Sequence, residues 1–473
     1  MAFPENISIV QLAPPQVATG GDFIYRLLQP DAALAAVPGF TTVSAVNLVR
    51  ERLELALGAD LLVLQLLGDP DLLPIMFERK RKGLATVFEI SDNFLSFQPS
   101  NPAAAFYNDP ENRACILQLI SQCDAVQVTV PALAEIFCRY NPRTVVFENR
   151  MASLGKPERP EGPIVVGWGG SVGHLEDIRR IAPALVAWAR KTPGVKLAVM
   201  GDAAFKELFA ELPPALFEYT PPGGLDDFYN FIQTIHIGIA PIRDDPFNLC
   251  RSDVKFMEYA SRGAAPVCSN APTYGRNVRD GETGLLFSNT DELISRLDSL
   301  VSAPELRARI AKNAYEYIKT ERMESDGARI RAEFYTELLR EKKGGGRLSG
   351  NRLEEIKTLK KTPGVSHYLH VPSDIEELVY SGLVYQFNRG EFAEAERCFR
   401  EAAAAAPDYF QAHFYLGNLL MREDTREAEK YFRRALEIWP ESCETALRIA
   451  RLRFAVGRKK EARGMVEKIM TAR

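Results

Sequence analysis

The sequence predicts an α/β protein with two Rossmann-like domains that face a cleft, followed by an all-α region. Three observations support this fold class. Over residues 1–300, apolar runs alternate with amphipathic stretches, as they do when parallel strands are joined by helices that cover both faces of a sheet. These runs are too many for one sheet of ordinary width, which indicates two sheets. Residues 373–473 repeat a helical pattern.

Strand-like runs are short, apolar and rich in β-branched residues in both predicted domains. In the first domain they span 7–13, 59–66, 84–90, 125–130 and 144–149. In the second domain they span 163–168, 195–201, 236–242 and 265–269. Stretches with helical periodicity, such as 175–191, lie between them. The order predicts parallel sheets, since parallel neighbours need a crossover connection.

Two segments of unusual composition set the expected domain boundaries. The loop 151–163 is rich in proline, glycine and charge, and it separates a first domain, 1–150, from a second, 151–340. Residues 341–372 combine glycine with an excess of lysine and arginine. That composition predicts a flexible, solvated linker before the helical region, 373–473.

The helical region repeats a pattern of small and aromatic residues. Ala395, Phe399, Ala402 and Pro407 recur in register as Ala428, Phe432, Ala435 and Pro440. This pattern resembles the tetratricopeptide repeat, a helical hairpin of about 34 residues that stacks into a solenoid. A plain helical bundle is the alternative.

Composition and charge exclude several classes of protein. With 46% hydrophobic and 25% charged residues, the 473-residue chain has ordinary globular composition, which excludes collagen, disordered and disulfide-scaffold proteins. Its net charge of -4 offers no general attraction for nucleic acid or an anionic membrane. Seven cysteines without a Cys-x-x-Cys pair favour free thiols over a zinc site. With neither a signal peptide nor a membrane-length apolar run, the chain is predicted to be cytoplasmic.

A glycine-rich turn at 164–178 is the most informative motif. A strand runs into Gly169, Gly170 and Gly173, and a helix begins at Leu175. Glycine lets the backbone approach a ligand, and the free N–H groups of a helix start favour an anion, so the motif suits a diphosphate. It is not the Gly-x-Gly-x-x-Gly fingerprint, and a tightly packed turn is the alternative interpretation.

Two further segments follow in the second domain. Arg243 follows a strand, and Lys255 and Glu258 are three residues apart on one face of the next helix. Such a pair is by default a surface ion pair worth a few tenths of a kcal/mol. Because the helix leads into another strand, the pair can instead face a cleft. The turn 281–284, Gly-Glu-Thr-Gly, could form a nest of backbone N–H groups for an anion.

The three segments, in this order, resemble the C-terminal half of retaining GT-B glycosyltransferases of the family 4 type. The resemblance covers about residues 1–335. In that family a glycine loop holds the donor diphosphate, a glutamate on a helix grips the ribose, and a Gly-x-Thr-Gly loop closes the donor site. The resemblance implies that Glu258 binds the ribose hydroxyls. It also implies that the helix after Ala311 crosses back to the first domain.

The resemblance implies a full set of site residues. Asp92 takes the aspartate position of a segment that often holds a His-Asp pair, with Ser91 in the histidine position. Together with Lys255 and Arg243, Asp92 is the implied catalytic set. The implied donor-binding residues are Gly20, Gly21, Gly169, Gly170, Ser171, His174, Arg251, Lys255, Glu258, Gly281, Thr283 and Gly284.

The sequence departs from the family pattern at several charged positions. Trp168 and His174 stand where the family commonly has arginine and lysine in the glycine loop. The first carboxylate of the family's Glu-x7-Glu motif falls on Cys250, and no histidine precedes His174. The positive charge at the phosphates is therefore expected from Arg243, Arg251 or Lys255.

The resemblance implies an enzyme that transfers a hexose from a UDP- or GDP-linked donor with retention. The resemblance implies a reaction that needs no metal and no cofactor beyond the nucleotide sugar, and the nearest Asp-x-Asp string, Asp69-Pro70-Asp71, is expected to be a turn because of its proline. One alternative is a catalytically degenerate scaffold whose repeats bind proteins, which the Cys250 substitution and the missing histidine favour. A GT-B epimerase ranks last, because its paired acids and histidine are not recognisable. The acceptor is expected to be a protein or a glycan, and the repeats are expected to bind a protein or to dimerise the enzyme.

Overall fold

The computed structural model describes residues 7–14, 21–97, 104–359, 368–369, 374–421 and 423–471. It contains two parallel sheets whose strands, apart from Tyr368–Leu369, lie within residues 7–287, and this part of the predicted fold class is confirmed. The first sheet has the order β13-β2-β1-β3-β4-β5-β6, and the second β12-β11-β10-β7-β8-β9.

The strands of the first sheet are β1 (Ile7–Ala13), β2 (Phe40–Val46), β3 (Leu61–Gln65), β4 (Ala85–Ile90), β5 (Ala125–Val128), β6 (Thr144–Val146) and β13 (Tyr368–Leu369). Those of the second sheet are β7 (Ile164–Gly170), β8 (Val195–Gly201), β9 (Phe217–Thr220), β10 (Ile237–Ala240), β11 (Ala265–Ser269) and β12 (Leu285–Phe287). β1 lies between β2 and β3 and is buried along its whole length, because helices cover both faces of the sheet.

Helices join the strands in both domains. A π-helical stretch, Phe23–Leu28, runs into α1 (Gln29–Ala35). The first domain continues with α2 (Arg52–Gly58), α3 (Leu72–Arg81), α4 (Ala104–Tyr107), α5 (Pro110–Gln122) and α6 (Pro131–Phe137). The second contains α7 (Leu175–Arg179), α8 (Ala182–Lys191), α9 (Ala203–Glu207), α10 (Leu225–Thr234), α11 (Val254–Ala260), α12 (Pro272–Gly275), α13 (Thr290–Ser302) and α14 (Pro304–Glu321). Short 3-10 turns occur at Phe94–Ser96, Val172–His174 and Asn248–Cys250.

A helix returns from the second domain to the first. α15 (Glu324–Arg340) buries Ala332, Tyr335 and Leu338 in the same cluster as the first-sheet strands β1, β3 and β4. At its start, Arg322 binds both carboxylate oxygens of Asp253 at 2.8 and 3.0 Å. The helix thus packs on the first domain, while the ion pair holds its start against α11 of the second domain.

The segment predicted to be a flexible linker is instead packed on the first domain where the structure describes it. The backbone N–H groups of Gly346 and Arg347 donate to Asp60 and to the carbonyl of Gly58. A Cβ atom on Gly344 would clash with the carbonyl oxygen of Lys82. The glycines therefore allow close backbone approach here rather than free movement. Part of the predicted linker, 360–367 and 370–372, lies outside the described residues.

The C-terminal region is helical, as expected, and packs onto the first domain. It comprises α16 (Gly350–Leu359), α17 (Asp374–Val384), a π-helical turn (Tyr385–Arg389), α18 (Phe392–Ala405), α19 (Phe410–Leu420), α20 (Thr425–Ile438), α21 (Cys443–Ala455) and α22 (Lys459–Thr471). The recurring residues Phe399 and Phe432 are fully buried in a cluster that also contains first-domain side chains. The Tyr409 hydroxyl donates to the carbonyl of Leu48, and Arg50 lies 3.0 Å from Asp408.

Among the helices that the structure describes, none combines the length and the apolar character needed to cross a membrane.

In both sheets the strands are parallel, so the carboxyl ends of the strands lie along one edge of each sheet. Residues after these ends meet across the domains: Asn93 donates to the carbonyl of Pro246, and Asn149 to Ser252. The cleft lies between these two edges.

Candidate functional site

The glycine-rich turn leaves the carboxyl end of β7 and opens toward the cleft. Ser171 is exposed at the start of the 3-10 turn that precedes α7. A Cβ atom on Gly170 would lie 2.8 Å from the Trp168 ring and 3.5 Å from Cε of Lys255. Because Gly170 has no side chain, Lys255 can lie directly beside the turn. A cation is therefore next to the glycine-rich motif. Gly169 is also in close contact, against the Phe228 ring.

An ion pair on α11 lies beside this turn. Lys255 Nζ is 2.7 Å from Oε2 of Glu258, and their side chains are 13% and 4% exposed. Nζ also lies 4.6 Å from the centroid of the Phe228 ring, a cation–π contact. The other carboxylate oxygen of Glu258 accepts a 2.8 Å hydrogen bond from the Tyr25 hydroxyl. The structure thus brings Gly170, Lys255 and Glu258 together, with Tyr25 added from the first domain.

His174 and Arg251 form a second group on the same side of the cleft. A guanidinium nitrogen of Arg251 donates to Nε2 of His174, and the guanidinium stacks 4.8 Å from the centroid of the Phe247 ring. Burial, followed by the positive charge of Arg251, lowers the pKa of His174 to about 4. The imidazole is therefore neutral at pH 7, and the positive charge at this position belongs to Arg251.

Asp177 contacts both the neutral His174 and the cation Arg243. Its carboxylate oxygens lie 3.1 Å from Nδ1 of His174 and 3.3 Å from Nε of Arg243. Burial alone would raise the pKa of Asp177, but hydrogen bonding to His174 and the charge of Arg251 lower it below its usual value. Asn248 also donates to Asp177, at 3.4 Å. Asp177 is thus a buried carboxylate that fixes Arg243 beside the glycine turn.

The first domain contributes carboxylates to the opposite side of the cleft. Asp92 follows β4, and Asp22 begins the helical stretch after the first loop. Burial, then the charge of Asp92, raises the pKa of Asp22 to about 7. Burial likewise raises the pKa of Asp92, while the charge of Arg251 opposes that rise. The charge of Arg251, from the second domain, thus acts on the pKa of Asp92 in the first.

The remaining predicted residues are placed less centrally. Gly21 is exposed at the start of its helix, and Gly20 lies outside the described residues. In the turn 281–284, the N–H of Gly281 donates to the carbonyl of Gly284, and the Thr283 hydroxyl accepts from the N–H of Arg279. The carbonyl of Glu282 accepts from Asn313 on α14. These bonds close the turn on itself and attach it to α14.

Three residues of the site were missed by reasoning from the sequence. Tyr25 has no local signal, because Glu258 is 233 residues away along the chain. Asp177 could have been found, since it lies three residues after His174 at the start of a helix. Asp22 directly follows the Gly20-Gly21 pair, yet its partner Asp92 comes from another strand. A single sequence does not reveal such pairings.

Comparison with known proteins adds two findings. Residues 179–324 match a protein-family model described as glycosyl transferase-like. Similar solved structures include HepE of Anabaena in complex with UDP-glucose, at a TM-score of 0.53 and 14% identity, covering 70% of this chain and all of that one. No curated protein matches the sequence.

Two further structures have the same architecture. Sucrose-phosphate synthase from Thermosynechococcus elongatus has a TM-score of 0.53 and 16% identity, with 71% of this chain and 100% of that chain covered. A glycosyltransferase from Rickettsia africae has a TM-score of 0.51 and 14% identity, with coverage of 71% and 99%. At these identities the likeness concerns the fold. The chain therefore has the GT-B fold, and its residues 179–324 match a glycosyl transferase-like family model.

Proposed function

We propose that this protein transfers a hexose from a nucleotide-sugar donor, UDP- or GDP-linked, to an acceptor with retention of anomeric configuration. The observation that carries the proposal is the Lys255–Glu258 pair, buried beside the glycine turn at the carboxyl edge of the second sheet. Ligands of open parallel sheets bind at this edge. A carboxylate for ribose hydroxyls next to a cation for phosphates matches the two halves of a nucleoside diphosphate.

In this proposal each group has a defined task. Glu258 accepts hydrogen bonds from the ribose, and the diphosphate lies along Gly169, Gly170 and Ser171. Lys255, Arg243 and Arg251 supply positive charge to the phosphates, with Arg251 replacing the lysine or arginine that the glycine turn lacks. Leaving-group charge would then be stabilised by preorganised cations rather than by a metal ion. No cofactor beyond the donor is proposed.

The first domain holds the sugar and the acceptor. Asp92, opposite Arg251, accepts hydrogen bonds from the transferred sugar and is the proposed catalytic carboxylate. Gly20 and Gly21 let the first loop approach the donor. Gly281, Thr283 and Gly284 close the far end of the donor site. Catalysis then rests on holding donor and acceptor in a reactive geometry.

The C-terminal helices are proposed to be tetratricopeptide repeats that bind a protein in the cytoplasm, either the acceptor or a second copy of the enzyme. Support comes from the buried alanine and phenylalanine positions that recur in α18 and α20, and from Gly417, which packs directly against Phe432. A small residue at such a position lets two helices of a hairpin approach closely. A protein or glycan bound there would lie next to the first domain.

The test is release of nucleoside diphosphate. The full chain is incubated with UDP-glucose, UDP-N-acetylglucosamine, GDP-mannose and GDP-glucose, with and without excess EDTA, and free UDP or GDP is measured. We expect release from one of these donors that persists in EDTA. Loss of release in EDTA, restored by manganese, would contradict the metal-free mechanism. No release and no nucleotide binding would contradict the transferase and favour the scaffold.

A further inference from the structure

Both oxygens of the Glu258 carboxylate already have partners in this structure. Oε2 accepts from Lys255 at 2.7 Å, and Oε1 accepts from the Tyr25 hydroxyl at 2.8 Å. Tyr25 and Glu258 are each only 3% exposed. A ribose therefore has no free space next to Oε1 unless the Tyr25 side chain moves.

The Tyr25 hydroxyl is chemically the counterpart of a ribose hydroxyl. Each is a neutral O–H that donates to the carboxylate, and hydrogen bonds to a charged acceptor are roughly twice as strong as neutral ones. Burial, and then the charge of Glu258, raises the pKa of Tyr25 well above its usual value, so the phenol keeps its proton as a donor.

A second acceptor lies within reach of Tyr25. The hydroxyl of Tyr229, on α10, accepts from Gln29 at 3.3 Å and is close enough to Tyr25 to influence the pKa of Tyr25. The Arg262 guanidinium stacks 3.6 Å from the centroid of the Tyr229 ring and holds that ring in place. The Tyr25 hydroxyl can therefore leave Glu258 and still have a buried partner, which lowers the cost of exchange.

We propose that Tyr25 occupies the position of a ribose hydroxyl. A nucleotide then binds in the donor site when its ribose hydroxyl replaces Tyr25 as the hydrogen-bond donor to Oε1 of Glu258. The inference rests on the proposed function, because it requires Glu258 to be the ribose ligand. Tyr25 belongs to the first domain and Glu258 to the second. Donor binding thus exchanges a bond between the domains for a bond to the ligand, and Tyr25 sets the nucleotide affinity.

The test is calorimetric titration of the full chain with UDP and with GDP. In Tyr25→Phe the ring remains but the competing hydroxyl is gone, so the nucleotide that binds the wild type should bind this variant about tenfold more tightly. The 2′,3′-dideoxy form of the same nucleotide should show no such gain, because it has no hydroxyl for Glu258. Tyr335→Phe is the matched control, since it removes a buried tyrosine hydroxyl on α15 that donates to Gln127 on β5.

The outcomes distinguish failure of the proposed role of Tyr25 from failure of the proposed donor site. Equal or weaker nucleotide binding by Tyr25→Phe, with binding lost in Glu258→Ala, would overturn the role of Tyr25 and leave the donor site standing. Wild-type affinity in Glu258→Ala would overturn both. A tenfold gain that also appears with the dideoxy nucleotide would contradict hydroxyl competition. Thermal unfolding of each variant checks that the fold is intact.

Discussion

Nζ of Lys255 lies 2.7 Å from Oε2 of Glu258, three residues further along α11, and only 13% and 4% of the two side chains are exposed. At this spacing a helix normally carries an exposed pair worth a few tenths of a kcal/mol. Here the pair is removed from water, so loss of either partner leaves an uncompensated charge. The position of these two charges beside the glycine turn links the fold to the proposed chemistry.

Replacing Lys255 by methionine should reduce donor hydrolysis more than it reduces nucleotide affinity. The ammonium faces the phosphates, where negative charge develops as the donor bond breaks. Loss of one such group commonly costs about 10²–10³ in kcat. Steady-state kinetics would show this, with Lys312→Met on the exposed face of α14 as the control. An unchanged kcat in Lys255→Met would remove Lys255 from the mechanism.

The neutral state of His174 makes stability depend on pH. The pKa of His174 is about 4 in the folded protein, below its value of about 6.5 in an unfolded chain. The unfolded state therefore binds the extra proton between these values, and stability falls as the pH drops from 6.5 to 4. His174→Gln should remove up to about 3 kcal/mol of this dependence. Urea unfolding between pH 4 and 6.5 measures this dependence. If stability fell as steeply with pH in His174→Gln as in the wild type, His174 would not be its source.

A buried ion pair should make Arg52 essential for stability. Its guanidinium is 1% exposed and lies 2.7 Å from Asp69, near the site where α19 packs on the first domain. Arg52→Met leaves buried carboxylates unpaired and should cost about 3–5 kcal/mol of unfolding free energy. Arg81→Ala, which breaks an exposed pair with Glu78, should cost less than about 1 kcal/mol. Similar losses of unfolding free energy in Arg52→Met and Arg81→Ala would argue against a buried ion pair at Arg52.

Truncation should distinguish a packed C-terminal region from a tethered one. A chain that ends at Gly344 loses the helices that share one core with the first domain, including Leu353, Phe399 and Phe410. The exposed apolar face should make this fragment aggregate during expression. A chain that ends at Arg458 lacks only α22 and should remain soluble. A monomeric 1–344 fragment with the wild-type melting temperature would contradict the packing.

The sequence pattern was sufficient for the two sheets but not for every strand. Continuous apolar runs such as 59–66 identify central strands, since these are buried on both faces. β2, Phe40–Val46, was missed because threonine and serine interrupt its apolar pattern, although it is buried beside β1. The composition of 342–350 predicts a flexible segment, whereas some of its glycines pack closely against the first domain. Composition does not distinguish a mobile glycine from one required by close packing.

For the site, residues that are close along the chain were predictable and those brought together by folding were not. Lys255 and Glu258 share one helix, so their pairing follows from helical spacing. The contacts of Tyr25 with Glu258, and of Arg251 with His174, depend on how separate elements pack. Neither Tyr25 nor Asp177 is distinctive as a single residue in the sequence, and only the fold places them in the cleft.

The central claim is tested most directly by calorimetric titration of UDP and GDP into the wild type and Glu258→Ala. We expect one nucleotide to bind the wild type and to bind Glu258→Ala about 10- to 150-fold more weakly, a loss of about 1.5–3 kcal/mol, with the melting temperature little changed. Glu258→Gln should be nearly as damaging, because the charge supplies much of the interaction. Equal affinity of the wild type and Glu258→Ala for both nucleotides would contradict the donor site.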